Sequence, residues 1–191
     1  MQTQVDPASQ FQVVIAGEIV GCKFLSLYSF ASVSYKIYSP NLADWSLAIG
    51  EDSGVSARGR SSCSEIVWNL PISCTFCATN PAGWPRLVLT LLFNDWFGRE
   101  VIGGYGSVTI PCQPGRHVKE IQFYAPMFRS SWLRLINWVF GKRPILNSPV
   151  EFLTDPCVGQ REQVITSNCS LSAKVNINIS LLNTDKFKLL F

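Results

Sequence analysis

Apolar residues recur at every second position in several stretches, and this period of two is the dominant signal along the chain. It is cleanest near the end, where Val175, Ile177, Ile179 and Leu181 alternate with Lys174, Asn176, Asn178 and Ser180. Successive side chains of a strand point to opposite faces, so this alternation predicts a half-buried strand over 174–182. Val33, Tyr35 and Ile37, set among Ser32, Ser34 and Lys36, predict another with one apolar and one mixed face. Val13, Ile15 and Ile19 form a β-branched run interrupted by Gly17 and Gly21. Residues 87–93 are almost continuously apolar, the mark of a strand buried on both sides. Val108 with Ile110, and Val118 with Ile121 and Phe123, mark two more. Clusters of Gly, Pro, Asn and Asp at 39–41, 50–54, 80–83, 94–95 and 113–115 punctuate these runs as turns. Seven or eight strands so spaced predict an all-β fold, an antiparallel sandwich. A parallel fold would need a helix between successive strands.

Only one segment has a helical pattern. Over 130–140, Trp132, Leu135, Ile136 and Val139 share a face, while Leu133, Trp138 and Phe140 cover much of the rest. Ser130 or Ser131 is placed to cap it, Gly141 follows its end, and Pro144 forbids continuation. So apolar a helix requires burial, either by plugging an open end of the sandwich or by docking on another protein or a membrane surface. Residues 144–163 hold three prolines and a glycine, and read as a long irregular connection. The expected organisation is a flexible start (1–10), one domain (11–182) with its inserted helix, and a tail (183–191).

Composition narrows the function classes. The chain has 191 residues, of which 47% are hydrophobic and 15% charged, which excludes long-range disorder. A net charge of +3 is too mild for a dedicated nucleic-acid binder, whose affinity rests on many phosphate contacts. No apolar stretch approaches the roughly 20 residues that span a bilayer, and no basic region followed by an apolar run opens the chain. Seven scattered cysteines form no disulfide framework, so a reducing, cytosolic setting is expected. Cys74-Thr-Phe-Cys77 has CxxC spacing but strand context, which sends the two thiols to opposite faces and argues against metal or redox use. The single histidine, His117, belongs to a turn or strand start and not to a catalytic pair. The loop acids lack a D-x-D cluster, so a calcium site is not expected. Gly103-Gly-Tyr-Gly106 lacks phosphate-loop spacing and reads as a bulge or a close strand crossing. Residues 56–60 look like an exposed loop. No enzyme activity, cofactor or metal is expected.

Several motifs occur together and in order. They are Val67-Trp-Asn-Leu-Pro71, Thr79-Asn-Pro-Ala-Gly-Trp-Pro-Arg-Leu-Val-Leu89, Phe97-Gly98, Gly104-Tyr-Gly-Ser-Val-Thr-Ile-Pro111, Pro114-Gly-Arg-His117 and Gly141-Lys-Arg-Pro144. As a set they resemble the B9-domain family from about residue 14 to residue 143, with a final strand beyond. The resemblance implies a C2-like sandwich. It also implies a non-enzymatic scaffold subunit of the Meckel-syndrome (tectonic-like) complex, on the cytoplasmic side of the ciliary transition zone or basal body. That complex supports the ciliary diffusion barrier and ciliogenesis. Implied partners are other B9-domain proteins, namely B9 domain-containing protein 2 and the Meckel-syndrome type 1 protein, and transmembrane transition-zone proteins. The motifs themselves are fold-defining: two prolines and Gly83 make a rigid turn, Trp68 and Trp84 anchor the core beside it, and Trp84-Pro85 is where a cis bond would fit. Partner-contacting candidates come from the apolar helix and its flanks: Phe128, Trp132, Arg134, Trp138, Lys142 and Arg143. The alternative reading is a calcium-independent peripheral module that binds anionic lipid.

Overall fold

Where apolar residues alternate, the backbone is extended and its neighbours run antiparallel. The computed structural model describes residues 10–23, 30–41, 44–61, 65–94, 98–127, 132 and 165–184. Ten strands form among them: β1 (Phe11–Lys23), β2 (Phe30–Tyr38), β3 (Trp45–Gly50), β4 (Ser53–Val55), β5 (Gly59–Arg60), β6 (Glu65–Ala78), β7 (Arg86–Asn94), β8 (Glu100–Thr109), β9 (Gly115–Met127) and β10 (Ile165–Leu182). They make one curled sheet in the order β3-β6-β1-β10-β9-β8-β7-β2-β4, with β5 also paired to β2.

The curl turns this sheet into a sandwich. Strands β8 and β9 share a single bridged pair, Tyr105 with Tyr124, and the sheet folds over at that seam. Glycines make so close a crossing possible. A Cβ on Gly104 would lie 3.2 Å from the Tyr124 carbonyl oxygen, and one on Gly106 would lie 2.8 Å from Ile121 Cγ2. Leaf β3-β6-β1-β10-β9 then faces leaf β8-β7-β2-β4. Ile15, Ile19, Ile72, Ile121, Val175 and Ile177 from the first leaf are buried with Val33, Ile37, Leu87, Leu89 and Leu91 from the second. The indole N–H of Trp68 on β6 donates to the Ala31 carbonyl on β2 at 3.0 Å, tying the leaves together at one end.

The expected all-β, C2-like antiparallel sandwich is therefore formed, with ten strands in place of seven or eight. Strand β7 carries buried Val88 as well as Leu87, Leu89 and Leu91, as its continuous apolarity required. Several expectations need correction. The final strand starts at Ile165, ahead of 174, and is interrupted by a register shift between Asn168 and Ser172. Strand β8 starts at Glu100, well before Val108; its glycine-rich opening hides it from β-propensity, and Gly103 is the extra residue opposite Leu91 and Leu92. Residues 56–60 are not a simple exposed loop. The Ser56 hydroxyl is buried, accepts the Val33 N–H at 2.9 Å and donates to the Ala57 carbonyl at 2.9 Å, and Gly59–Arg60 pair with β2. Among the described residues no peptide bond is cis, so the bond before Pro85 is trans. Of the helix expected over 130–140, only Trp132 lies among the described residues, where it is helical. Residues 144–163 lie outside them, as do 1–9 and 185–191.

Candidate interaction surface

Edge strand β3 is set by its two ends. At the first, Trp45 is buried, its ring edge-on to Phe11 (centroids 5.6 Å) and to Trp84 (5.3 Å), while Phe11 and Trp84 stack at 6.5 Å. The Trp45 indole N–H donates to the Ala82 carbonyl at 2.9 Å, and the Asn41 carbonyl accepts the backbone N–H of Asp44 and of Trp45. The Asn80–Pro85 turn, with Gly83 at φ 76, thus holds the start of β3 against the core. At the other end Gly50 takes φ 90, and a Cβ there would lie 2.2 Å from the Ser73 carbonyl oxygen, so only glycine lets the chain leave β3 for the turn into β4. Between these ends every residue from Ser46 to Gly50 is exposed.

A bulge divides the strand. Leu47 pairs with Phe76 and Ile49 with Thr75, leaving Ala48 as the extra residue. One short strand thereby presents Leu47 beside the core-facing row and Ile49 on the opposite face, 42% and 71% exposed. Its other side has no strand neighbour among the described residues. Sequence reasoning passed over this strand. Its only signal is apolar Trp45, Leu47 and Ile49 alternating with Ser46 and Ala48, too short to stand out beside the longer runs.

The outer face of the five-stranded leaf mixes charges of both signs with exposed Val67 and Val118. A cleft of about 400 Å³ lies over Lys23, Glu65, Val67, Val118, Glu120 and Lys174. Its carboxylates have partners or cationic neighbours: Glu120 accepts the Ser172 hydroxyl at 2.6 Å, and Lys174 is its register partner. Farther along, Glu18 accepts an amide N–H of Asn176 at 2.8 Å. With Lys23, Lys119 and Lys174 set among Glu65 and Glu120, the cleft carries interleaved charge and no strong field of one sign.

The sequence-singled chemistry resolves into structure. Cys74 points to the core and Cys77 to the other side of β6, as the strand context required. Burial pushes the Cys22 and Cys74 thiols up to about 12, with Asp52 adding to the rise at Cys74, which leaves both without nucleophilic character at neutral pH. His117 lies near the start of β9, and its Nε2 is 2.9 Å from the Gln113 carbonyl oxygen, closing the turn that leads into that strand. An exposed ion pair, Arg58 to Glu100 at 2.9 Å, crosses from the β4–β5 link to the start of β8. Of the partner-contacting candidates, Trp132 is 74% exposed. Phe128, Arg134, Trp138, Lys142 and Arg143 lie outside the described residues.

With Cys22, Cys74 and His117 tied into the framework, and with a strand edge and several apolar side chains exposed, the described residues form by class an antiparallel β-sandwich domain. A family model described as "ciliary basal body-associated, B9 protein" (B9-C2) matches residues 13–181, from within β1 to within β10. The chain belongs to this B9 family. It is 33% identical to B9 domain-containing protein 1 of Mus musculus over 144 residues, which covers 74% of this chain and 69% of that protein. It is 29% identical to B9 domain-containing protein 1 of Xenopus laevis over 184 residues, covering 95% and 88%. B9 domain-containing protein 2 of Mus musculus is 30% identical over 122 residues, covering 63% and 67%. Among solved structures, the chain is similar to a C2 domain of plant extended synaptotagmin 1, with TM-score 0.41 at 10% identity, covering 87% and 93%.

Proposed function

We propose that this chain is a non-enzymatic scaffold subunit of the Meckel-syndrome (tectonic-like) complex at the ciliary transition zone. It assembles there with other B9-domain proteins, B9 domain-containing protein 2 and the Meckel-syndrome type 1 protein, and with transmembrane members, on the cytoplasmic side of the membrane. In this role it supports ciliogenesis and the ciliary diffusion barrier. Family membership supports the reading, and the observation that carries it is the sandwich's supply of exposed adhesive features. Trp132 is a large aromatic side chain 74% exposed to water, the type that dominates affinity when a partner covers it. Phe128, Arg134, Trp138, Lys142 and Arg143 surround it in sequence and are proposed to share its contact. The test is co-purification with the two partner B9-domain proteins. The expected result is a stable complex that Trp132→Ala weakens about tenfold, the range of an interface hot spot. A chain that stays monomeric in the presence of both partners would sink the reading.

A second reading has its own observation. An exposed indole with Arg129 and Arg134 close by in sequence suits the boundary of an anionic membrane. Sedimentation with phosphatidylserine vesicles, without calcium and at low salt, separates the two. Binding that Trp132→Ala abolishes favours the membrane module, and absence of binding under these unscreened conditions removes it.

A further inference from the structure

We propose that edge strand β3 is a docking strand, which accepts an extended segment of a partner chain by β-strand addition, that segment carrying basic residues at its ends. The proposal rests on the scaffold reading and names the surface through which such a scaffold joins its neighbour.

An open edge presents unpaired backbone donors and acceptors, and proteins commonly blunt it with proline, charge or brevity. Two other open stretches of this sheet are blunted. Strand β4 has only three residues. The part of β6 that extends past β3 carries Pro71, which has no N–H, and Asn69 at φ 48, which breaks the extended geometry. Strand β3 has neither proline nor charge between Trp45 and Gly50. It has only the bulge at Ala48, and it exposes Leu47 and Ile49 on its two faces. Both ends are pinned, by the Trp45 ring cluster and by Gly50, so the edge is already extended before anything binds. Pre-organisation removes much of the ordering cost of strand addition.

Charge decides the occupant. The strand is bracketed by Asp44 on one side and Glu51 with Asp52 on the other. Antiparallel pairing with a second copy would bring the Asp44 end of each strand beside the Glu51–Asp52 end of the other. Like charges brought together across a ladder are unfavourable, so the edge favours a partner that brings the opposite charge. A heterologous strand with apolar residues alternating in its middle and Lys or Arg toward its ends, near Asp44 and Glu51, fits both the exposed side chains and the charge.

The test uses the full chain with B9 domain-containing protein 2 from the same source. Ile49→Lys places a charge on the exposed edge, Glu51→Lys with Asp52→Lys reverses the terminal charge, and Val118→Lys on β9, 58% exposed in the wild type, is the control. Circular dichroism and melting temperature verify that each variant is folded. Calorimetry is expected to show about a tenfold loss of affinity for the two β3 variants and less than about twofold for the control. Amide hydrogen exchange at Ser46–Gly50 is expected to slow in the complex. If the complex forms but Ile49→Lys binds at full strength, or if these amides exchange at the free rate, the docking strand is wrong and the scaffold stands. If the wild type ignores its partner, the scaffold reading fails, and a synthetic strand Lys-Lys-Val-Thr-Val-Thr-Lys decides the edge. Protection of Ser46–Gly50 by that peptide and not by its version with proline at the central threonine sustains the proposal, and equal behaviour of the two overturns it.

Discussion

At the scale of single residues, the molecule puts its chemistry to structural use. Trp45 is 3% exposed, closes a three-ring cluster and donates to the Ala82 carbonyl. Trp45→Ala therefore removes packing and a hydrogen bond together, and is expected to cost about 3–5 kcal/mol, read as a lower urea midpoint at unchanged slope. The buried thiols make a pH-dependent contribution. Cys22 and Cys74 stay protonated in the fold up to about 12, whereas in the unfolded chain they ionise near their ordinary value of 9.0. Above that value the unfolded state has released protons that the folded state retains, so the stabilisation present below it is lost as pH rises toward the folded value. The urea midpoint of the wild type is expected to fall as pH rises from 9.0 toward about 12, and that of the Cys22→Ala, Cys74→Ala double variant to fall less steeply. Parallel slopes would show that neither thiol ionises on unfolding.

At the scale of elements, legibility follows length and side-chain period. Strand β10 shows itself over 174–182 because four apolar residues alternate with polar ones there, and β7 because both of its faces are apolar. Strands β3, β4 and β5 do not, since six, three and two residues give too few repeats to stand above turn-rich surroundings. The docking edge is therefore invisible in the sequence, although the Trp84 turn that pins it is legible there as fold-defining. The helical pattern over 130–140 falls outside the described residues except at Trp132, and a pattern alone does not say whether an apolar face is covered by its own domain or by a neighbour. The glycines of β8 imply a bulge or a close crossing, and both uses occur. At the seam, Gly106→Ala brings a methyl group to 2.8 Å from Ile121 Cγ2 and 3.0 Å from the Gln122 carbonyl oxygen. The expected cost is about 1–3 kcal/mol. Hydrogen exchange is expected to speed up first in β8 and β9, where the two leaves of the sheet are joined most narrowly.

At the scale of the whole molecule, the first and last strands meet in the middle of one leaf. Strand β1 pairs with β10 from Gln12–Leu182 through Lys23–Ser172, and β10 pairs in turn with β9. The last strand is thus interior, and its buried Ala173, Val175, Ile177 and Ile179 face a core built by strands that precede it by as many as 160 residues or so. Pairing so distant in sequence forms late and is all-or-none, because neither β1 nor β9 can satisfy its open side without β10. A chain ended at residue 164 is therefore expected to lose cooperative unfolding altogether, though it keeps β1 through β9 and the entire β3 edge. Its near-ultraviolet circular dichroism would be flat and its urea curve broad. The same truncation bears on assembly. The β3 edge is held by β6, β6 pairs with β1, and β1 is completed by β10, so a scaffold that joins its neighbours through β3 loses that ability when a strand three places away in the sheet is missing. A truncated chain that still melts sharply and still binds its partner would mean that the leaf is stable without its central strand, contrary to the order in which the sheet is built.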